Sequence, residues 1–430
     1  MTGSMSRTLF QALTRSHSPA DGLTDAARRA EPANGLRHVA ALSMSKVADG
    51  LIDPKLVLSW LLTALGAPAL LAGLLVPIRE AGALVPQVVL AGPVARMTRR
   101  KWAWVIGSAG QGVAAALIAG CAFVLTGWAA GLAICALLGV LAVFRALCSV
   151  SYKDILGKTV GLSRRGAVTG LAGTAASGGV VIFALLLMSG ALRQTGAVIA
   201  AVALAALLWG LAALVLATLR EPPSQTGQDG GGVDFALLRD NPQLWRFIAT
   251  RGLLVSTALA PPYLVILASD GDAGALAGLG ALVLASAVAS FLSSYVWGRL
   301  ADRSSRRVLM LAGVLGALAM AGAVALAQAG LARTVWAMPA ALFVLMIAYH
   351  GVRQGRSTYL VDMAPENRRA AYAAVANTAI GLILLATGVL GGLFAMIGPQ
   401  ATLAGFALMA LAAAWTGRGL DEVEGANARQ

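Results

Sequence analysis

Six ionisable side chains lie inside stretches that are otherwise apolar: Asp49, Asp53, Arg79, Glu80, Arg145 and His350. A charge taken out of water is expensive unless it is partnered. Groups of this kind therefore bind and release protons or a polar ligand, or they tie one helix to another. Lys46, Asp49 and Asp53 follow an i, i+3, i+7 spacing, which sets them on one face of a helix. Arg79 and Glu80 fall at comparable depth in the next apolar stretch. Two readings stand for this group: a proton- or substrate-binding cluster, or a fixed Asp–Arg pair pinning the first helix to the second. His350 also has two readings. An imidazole titrates near neutral pH and can relay protons, or it packs as a hydrogen-bonded ring.

The elements that must position these residues are membrane spans. Of the 430 residues, 58% are hydrophobic and 12% charged, against about 25% charged in soluble domains, and mean hydropathy is +0.77. The net charge of +14 does not imply a nucleic-acid partner, because the basic residues sit in short clusters between apolar runs. Cys121, Cys135 and Cys148 fall within apolar runs, so neither a disulfide framework nor a metal site is expected. There is no paired His/Cys/Asp metal spacing and no nucleophile–base pair, so the chain reads as a non-enzyme without a cofactor. Residues 1–38 lack the apolar core of a signal peptide and read as a cytoplasmic tail. Twelve spans are predicted, at 39–62, 68–95, 102–125, 129–150, 166–189, 196–219, 247–268, 274–298, 308–330, 335–355, 370–395 and 400–416, each near the roughly 20 residues a bilayer requires. They read as helices, since the runs lack the alternation of barrel strands.

Basic residues alternate between the connections. One set holds Arg96, Arg99, Arg100 and Lys101, then Lys153, Lys158, Arg164 and Arg165, and, further on, Arg299 to Arg307, Arg368 and Arg369; the other set holds only Arg193 and Arg333. The positive-inside rule puts both termini in the cytoplasm of a plasma (cell inner) membrane. The chain also repeats. Gly92, Arg96, Arg100 and Lys101 precede Gly298, Asp302, Arg306 and Arg307 by 206 residues, and Arg164 and Arg165 precede Arg368 and Arg369 by 204. Such an offset marks two parallel six-helix halves, 39–219 and 247–416. The Pro- and Gly-bearing stretch 220–246 reads as a cytoplasmic linker, and 417–430 as a short tail whose Asp421, Glu422 and Glu424 form a solvated acidic face.

The loop Gly298-Arg299-Leu300-Ala301-Asp302-Arg303-Ser304-Ser305-Arg306-Arg307 resembles the signature loop of the major facilitator superfamily, with Ser305 where the family has a second glycine. The resemblance covers residues 39–416. It implies an all-α integral membrane protein, two six-helix bundles around a central cavity, and a secondary transporter of a small solute working by alternating access. The titratable groups suggest proton coupling. Arg145 resembles the buried arginine that many members carry in the fourth helix and that is implicated in proton transfer; from its position alone it could also snorkel to the inner surface. The glycine-rich fifth helix lacks the proline of the family's antiporter signature. Arg96 stands where Asp302 stands in the other half, so the two inner gates are expected to differ electrically. The resemblance further implies that the gating loop of Gly298, Asp302, Arg303, Arg306 and Arg307 packs under the start of the fifth helix, with Arg164 and Arg165 as latch partners. A non-transporting membrane sensor or scaffold, and a lipid flippase of the same fold, are the alternatives. The expected partners are a small-molecule substrate, protons and the lipid bilayer, with the chain a monomer.

Overall fold

The computed structural model describes residues 3–14, 23–189, 195–224, 236–269, 275–301, 303–365 and 368–423. Every regular element among them is helical. The helices are α1 (Gly3–Thr14), α2 (Asp25–Leu51), α3 (Val57–Ala64), α4 (Ala69–Leu84), α5 (Pro86–Ala95), α6 (Lys101–Val124), α7 (Gly127–Thr159), α8 (Leu162–Met188) and α9 (Thr195–Ala217). After them come α10 (Ala236–Asp240), α11 (Pro242–Leu254), α12 (Ser256–Leu259), α13 (Pro261–Ala268), α14 (Ala275–Ala301), α15 (Ser305–Gln328), α16 (Ala337–Met363), α17 (Arg369–Ala395) and α18 (Pro399–Thr416). Among the described residues, nine segments are long and apolar enough to cross a membrane: α4 with α5, α6, α7, α8, α9, α11 through α13, α15, α17 and α18. This is a multi-pass membrane protein. The three further spans expected from the sequence correspond to the broken pair α2/α3, to α14 and to the charge-bearing α16.

Several boundaries differ from the sequence reading. The stretch expected to be a tail up to residue 38 is helical from Asp25, where the Thr24 hydroxyl caps the first turn by accepting from the Ala27 N–H. The first span is also not continuous. Pro54 has no N–H to give a helix and restricts the residue before it, so α2 stops at Leu51 and α3 restarts at Val57. Asp53 lies in this break, not on a common face with Lys46 and Asp49; its Oδ1 accepts from the backbone N–H groups of Lys55 (2.7 Å) and Leu56 (3.1 Å). The fourth and tenth spans run on through their charged ends, to Thr159 and Met363. Pro261 and Pro262 divide the seventh span, as its α11, α12 and α13 pieces record.

The helices form two groups. In one, α6 packs on α7 and α9, α2 on α8 and α9, and α4 on α7; in the other, α15 packs on α16 and α18, α14 on α16, and α11 on α17 and α18. The groups meet through α4 on α17, α8 on α14 and α3 on α13. Those junctions are tight at the end away from the basic loops. A Cβ on Gly388 would sit 2.0 Å from the Pro77 ring, and one on Gly280 2.8 Å from the Ala184 carbonyl, so only glycine allows these approaches. At the basic end Gly166 and Gly170, in the first turns of α8, face no atom within 4 Å.

Candidate functional site

The break between α2 and α3 sits where the two helix groups face one another, and the charges gather around it. Asp49, near the end of α2, is a node. Arg79 of α4 donates to its Oδ1 at 2.7 Å, and Arg145 of α7 pairs with its Oδ2 at 2.8 Å. Arg145 also reaches the Ser45 hydroxyl at 3.5 Å, to which the Trp209 indole N–H donates at 3.2 Å. Because α7 continues to Thr159, Arg145 lies well inside its helix and does not snorkel to the end.

Lys55 forms the second node. It lies 3.6 Å from Glu80, donates to the Tyr349 hydroxyl at 3.0 Å and sits 4.1 Å over the Tyr349 ring. The structure thus gathers Asp49, Arg79 and Arg145 at one point and Glu80 at another. Asp53 serves the backbone of the break between them.

The Lys55 node and Asp53 border hollow space. A cavity of about 250 Å³ is lined by Asp53, Lys55, Ser177, Val283, His350 and Arg353, among others. A second, of about 540 Å³, shares His350 and Arg353 and extends to Trp297 and Ser357. A small one of about 40 Å³ holds Glu80, Arg251, Tyr349, Arg353 and Arg356. His350 packs edge-on against Tyr349 with ring centroids 5.3 Å apart. Its Nε2 has no hydrogen-bond partner among the described residues.

The gating residues lie at the basic end, away from this cluster. Gly298 faces no atom within 4 Å and Arg303 is exposed; Asp302 lies outside the described residues. Arg306 pairs with Glu422 at 2.9 Å, with Arg307 3.7 Å from the same oxygen, and the Ser304 hydroxyl donates to Glu422 at 2.7 Å. Glu422 is therefore a helix-start partner for α15, which corrects its reading as part of a solvated face. In the other half, Arg96 is exposed and Gly92 faces open space. The Glu221 carboxylate accepts from the N–H groups of Arg100 (3.1 Å) and Lys101 (2.8 Å) at the start of α6. Arg100 also pairs with Asp154 at 2.8 Å. Of the two latch arginines, Arg164 is held by Glu31 at 2.6 Å, whereas Arg165 donates to the Gly157 and Val160 carbonyls at the end of α7. Glu31 belongs to the stretch expected to be a tail.

The sequence reading left Lys55, Arg251, Arg353 and Arg356 out of the site, counting Arg356 among the cytoplasmic basic residues. Arg251 is 4% exposed. Both of its terminal nitrogens donate to Asn377 Oδ1 at 3.2 Å, and its Nε has no partner among the described residues. The signal was available, since a cation inside an apolar span is a functional candidate by its cost alone. The described residues contain no cluster of three or more potential metal ligands.

Fold and site define a class: a multi-pass α-helical membrane protein with a charged cavity between two groups of helices. Comparison with known proteins narrows it. Residues 253–428 match the family model described as Major Facilitator Superfamily. The fold is similar to that of a mutant of the nucleoside transporter NupG (TM-score 0.70, 14% identity, covering 90% of this chain and 100% of that one). It is similar also to that of a D-xylose-proton symporter (TM-score 0.67, 14% identity, 91% and 98% covered). A POT family transporter in complex with a thioalcohol-conjugated peptide aligns with a TM-score of 0.66 at 12% identity, 89% and 94% covered. No curated protein matches. Over its carboxy-terminal part the chain is thus similar to the Major Facilitator Superfamily, and over about nine-tenths of its length its fold is similar to those of solved transporters.

Proposed function

We propose that the protein is a secondary active transporter that carries a small solute across the plasma membrane by alternating access, with twelve spans in two six-helix halves and both termini cytoplasmic. One observation carries this reading. The charged cavity lies between the halves, glycine-tight contacts close the end opposite the basic loops, and at the basic end Gly166 and Gly170 of α8 face no atom within 4 Å. With the basic loops in the cytoplasm, this is an inward-facing arrangement.

The proton gradient is the driving force in this proposal, and Glu80 is the carboxylate that takes the proton. Asp49 is clamped between two guanidiniums at 2.7 and 2.8 Å and Asp53 by two backbone N–H groups. Glu80 has a single, longer contact of 3.6 Å and borders a cavity. Asp49, Arg79 and Arg145 then hold α2, α4 and α7 together while the halves move. The basic-end loops act as the gate, with Asp302 approaching the first turn of α8 when that end closes. An aspartate there gains about 0.3–1 kcal/mol from the helix N-terminus.

Uptake of solutes into proteoliposomes with an imposed pH gradient tests transport, and no gradient-driven uptake across a broad solute panel would refute it. Spin labels on the loops before α8 and α15, read by double electron–electron resonance, test the gate. Asp302→Asn is expected to shift the distribution toward the longer, open distance. Identical distributions in wild type and variant would remove the latch.

A further inference from the structure

The cavity holds more cations than its own acids can serve. Lys55, Arg251, Arg353 and Arg356 line its compartments, against Asp53 and Glu80, with Lys46, Arg79, Arg145 and Asp49 in the protein behind them. Arg79 and Arg145 are taken by Asp49, and Lys55 by Glu80. Among the described residues no carboxylate lies within ion-pair distance of Lys46, Arg251, Arg353 or Arg356. Lys46 reaches only the Thr169 carbonyl, at 3.4 Å, and Arg251 only Asn377. Arg353 is shared by all three cavities, and Arg356 by two of them. Arg251 is buried, and a buried cation without a counter-charge does not stabilise a fold. Arg356 is half-buried and Arg353 exposed where they line the cavities, and the guanidinium fork of each matches a carboxylate in two parallel bonds. Beside these cations the 250 Å³ cavity offers apolar wall from Leu56, Val57, Val180, Val283 and Met346.

We propose, resting on the transporter reading above, that the solute is a small organic anion, a carboxylate on a compact apolar body, whose charge is received by Arg353 and Arg356 with Arg251 behind them.

Glu80 lines the same small cavity as those three arginines. It is the chain's own carboxylate at the place where the solute's carboxylate must go. The charged and titratable groups around it are Lys55 from the break, Arg79 on its own helix, Arg251 on α11 and Tyr349, Arg353 and Arg356 on α16, with Asp53 and His350 further along the wall. While ionised, Glu80 competes with the solute for these cations. Once it binds a proton it no longer does. Proton and anion binding therefore favour each other, and the coupling is reciprocal. One proton carried with one monocarboxylate moves no net charge.

The test uses the full-length protein in detergent, with benzoate and hexanoate against their amides, benzamide and hexanamide, and inorganic phosphate as a separate arm. Thermal unfolding gives the affinities. The carboxylates are expected to raise the midpoint and the amides not to. Arg353→Gln and Arg356→Gln should weaken carboxylate binding by at least about tenfold, the worth of one charge-assisted bond. Arg353→Lys, which keeps the charge, should recover part of it and shows that the site is folded. Glu80→Gln, which removes the competing charge, should bind the carboxylates more tightly than the wild type at the same pH, with both probes ionised at about pH 7. Equal effects of acids and amides, carboxylate binding indifferent to the arginine variants, or silence across the panel would overturn the proposal. Preference for inorganic phosphate would overturn the organic body. Uptake of labelled benzoate into proteoliposomes separates the two readings. Benzoate binding without uptake would sink transport and leave the anion site. Gradient-driven uptake of a neutral solute without anion binding would do the reverse.

Discussion

The two halves treat charge in opposite ways. On the amino-terminal side of the cavity each acid has a bonded partner: Asp49 holds two arginines, Asp53 holds the backbone of the break, and Glu80 faces Lys55. On the carboxy-terminal side Arg251, Arg353, Arg356 and His350 line the cavity with no carboxylate from their own half among the described lining residues. The difference teaches where stability and function lie. Removing one member of a bonded ion set strands the others, largely buried, without a counter-charge. Removing an unpartnered cation strands only a neutral acceptor. The same kind of substitution should therefore have opposite consequences in the two halves.

The largest break in this comparison is expected from Asp49→Asn. Arg79 and Arg145 would be left near one another with no anion between them, a loss of about 3–5 kcal/mol for a buried pair deprived of one partner. The thermal unfolding midpoint in detergent should fall by several degrees, and uptake should be lost. Adding Arg79→Met to Asp49→Asn should return part of the stability, since double substitutions of contacting residues are not additive. An Asp49→Asn protein as stable as wild type would mean that the node holds nothing together. The carboxy-terminal counterpart is Arg251→Met. Here the midpoint should stay level or rise, because exchanging a poorly satisfied polar group for an apolar one of similar shape is close to neutral or favourable, while uptake should still be lost. A fall comparable to that of Asp49→Asn would erase the distinction between the halves.

Much of the fold was legible in the sequence, since a bilayer demands long apolar helices and charge between them is conspicuous. Asp49, Arg79 and Arg145 stood out for that reason. Arg353 and Arg356 were hidden by the same logic. Hydropathy ends a helix where charges begin, yet α16 runs on to Met363, and both arginines become part of a continuous helix wall. The break at Asp53 was announced by Pro54 but lost within a long apolar average. The partners of Arg164 and Arg306 could not be read locally. Glu31 lies 133 residues from Arg164 in the chain, and only tertiary packing brings them together. The internal repeat held a clue to the second, because Glu221 and Glu422 each follow the last helix of a half and each meets the start of its third.

That repeated contact allows the comparison to be sharpened on a smaller scale. Glu221 and Glu422 play similar parts at the starts of α6 and α15, but their surroundings differ. The Glu221 side chain is fully buried and bonds two backbone N–H groups that the helix cannot satisfy itself. Glu422 is 39% exposed and bonds side chains, Arg306, Arg307 and the Ser304 hydroxyl. The first turn of α15 is capped instead by Ser304, whose hydroxyl accepts from the Arg307 N–H at 3.2 Å. Glu221→Gln keeps the shape and one acceptor but loses the charge at a helix N-terminus, an effect of about 1–2 kcal/mol in a buried setting. Glu422→Gln removes a pair open to water and screened by it, worth about 0.2–1 kcal/mol at most. Matched thermal unfolding of the two variants should rank Glu221→Gln below Glu422→Gln, and added salt should narrow the wild-type advantage over Glu422→Gln only. Equal losses insensitive to salt would mean that both acids act as buried caps, and that the two halves are alike at this end of the molecule even though they differ at the cavity.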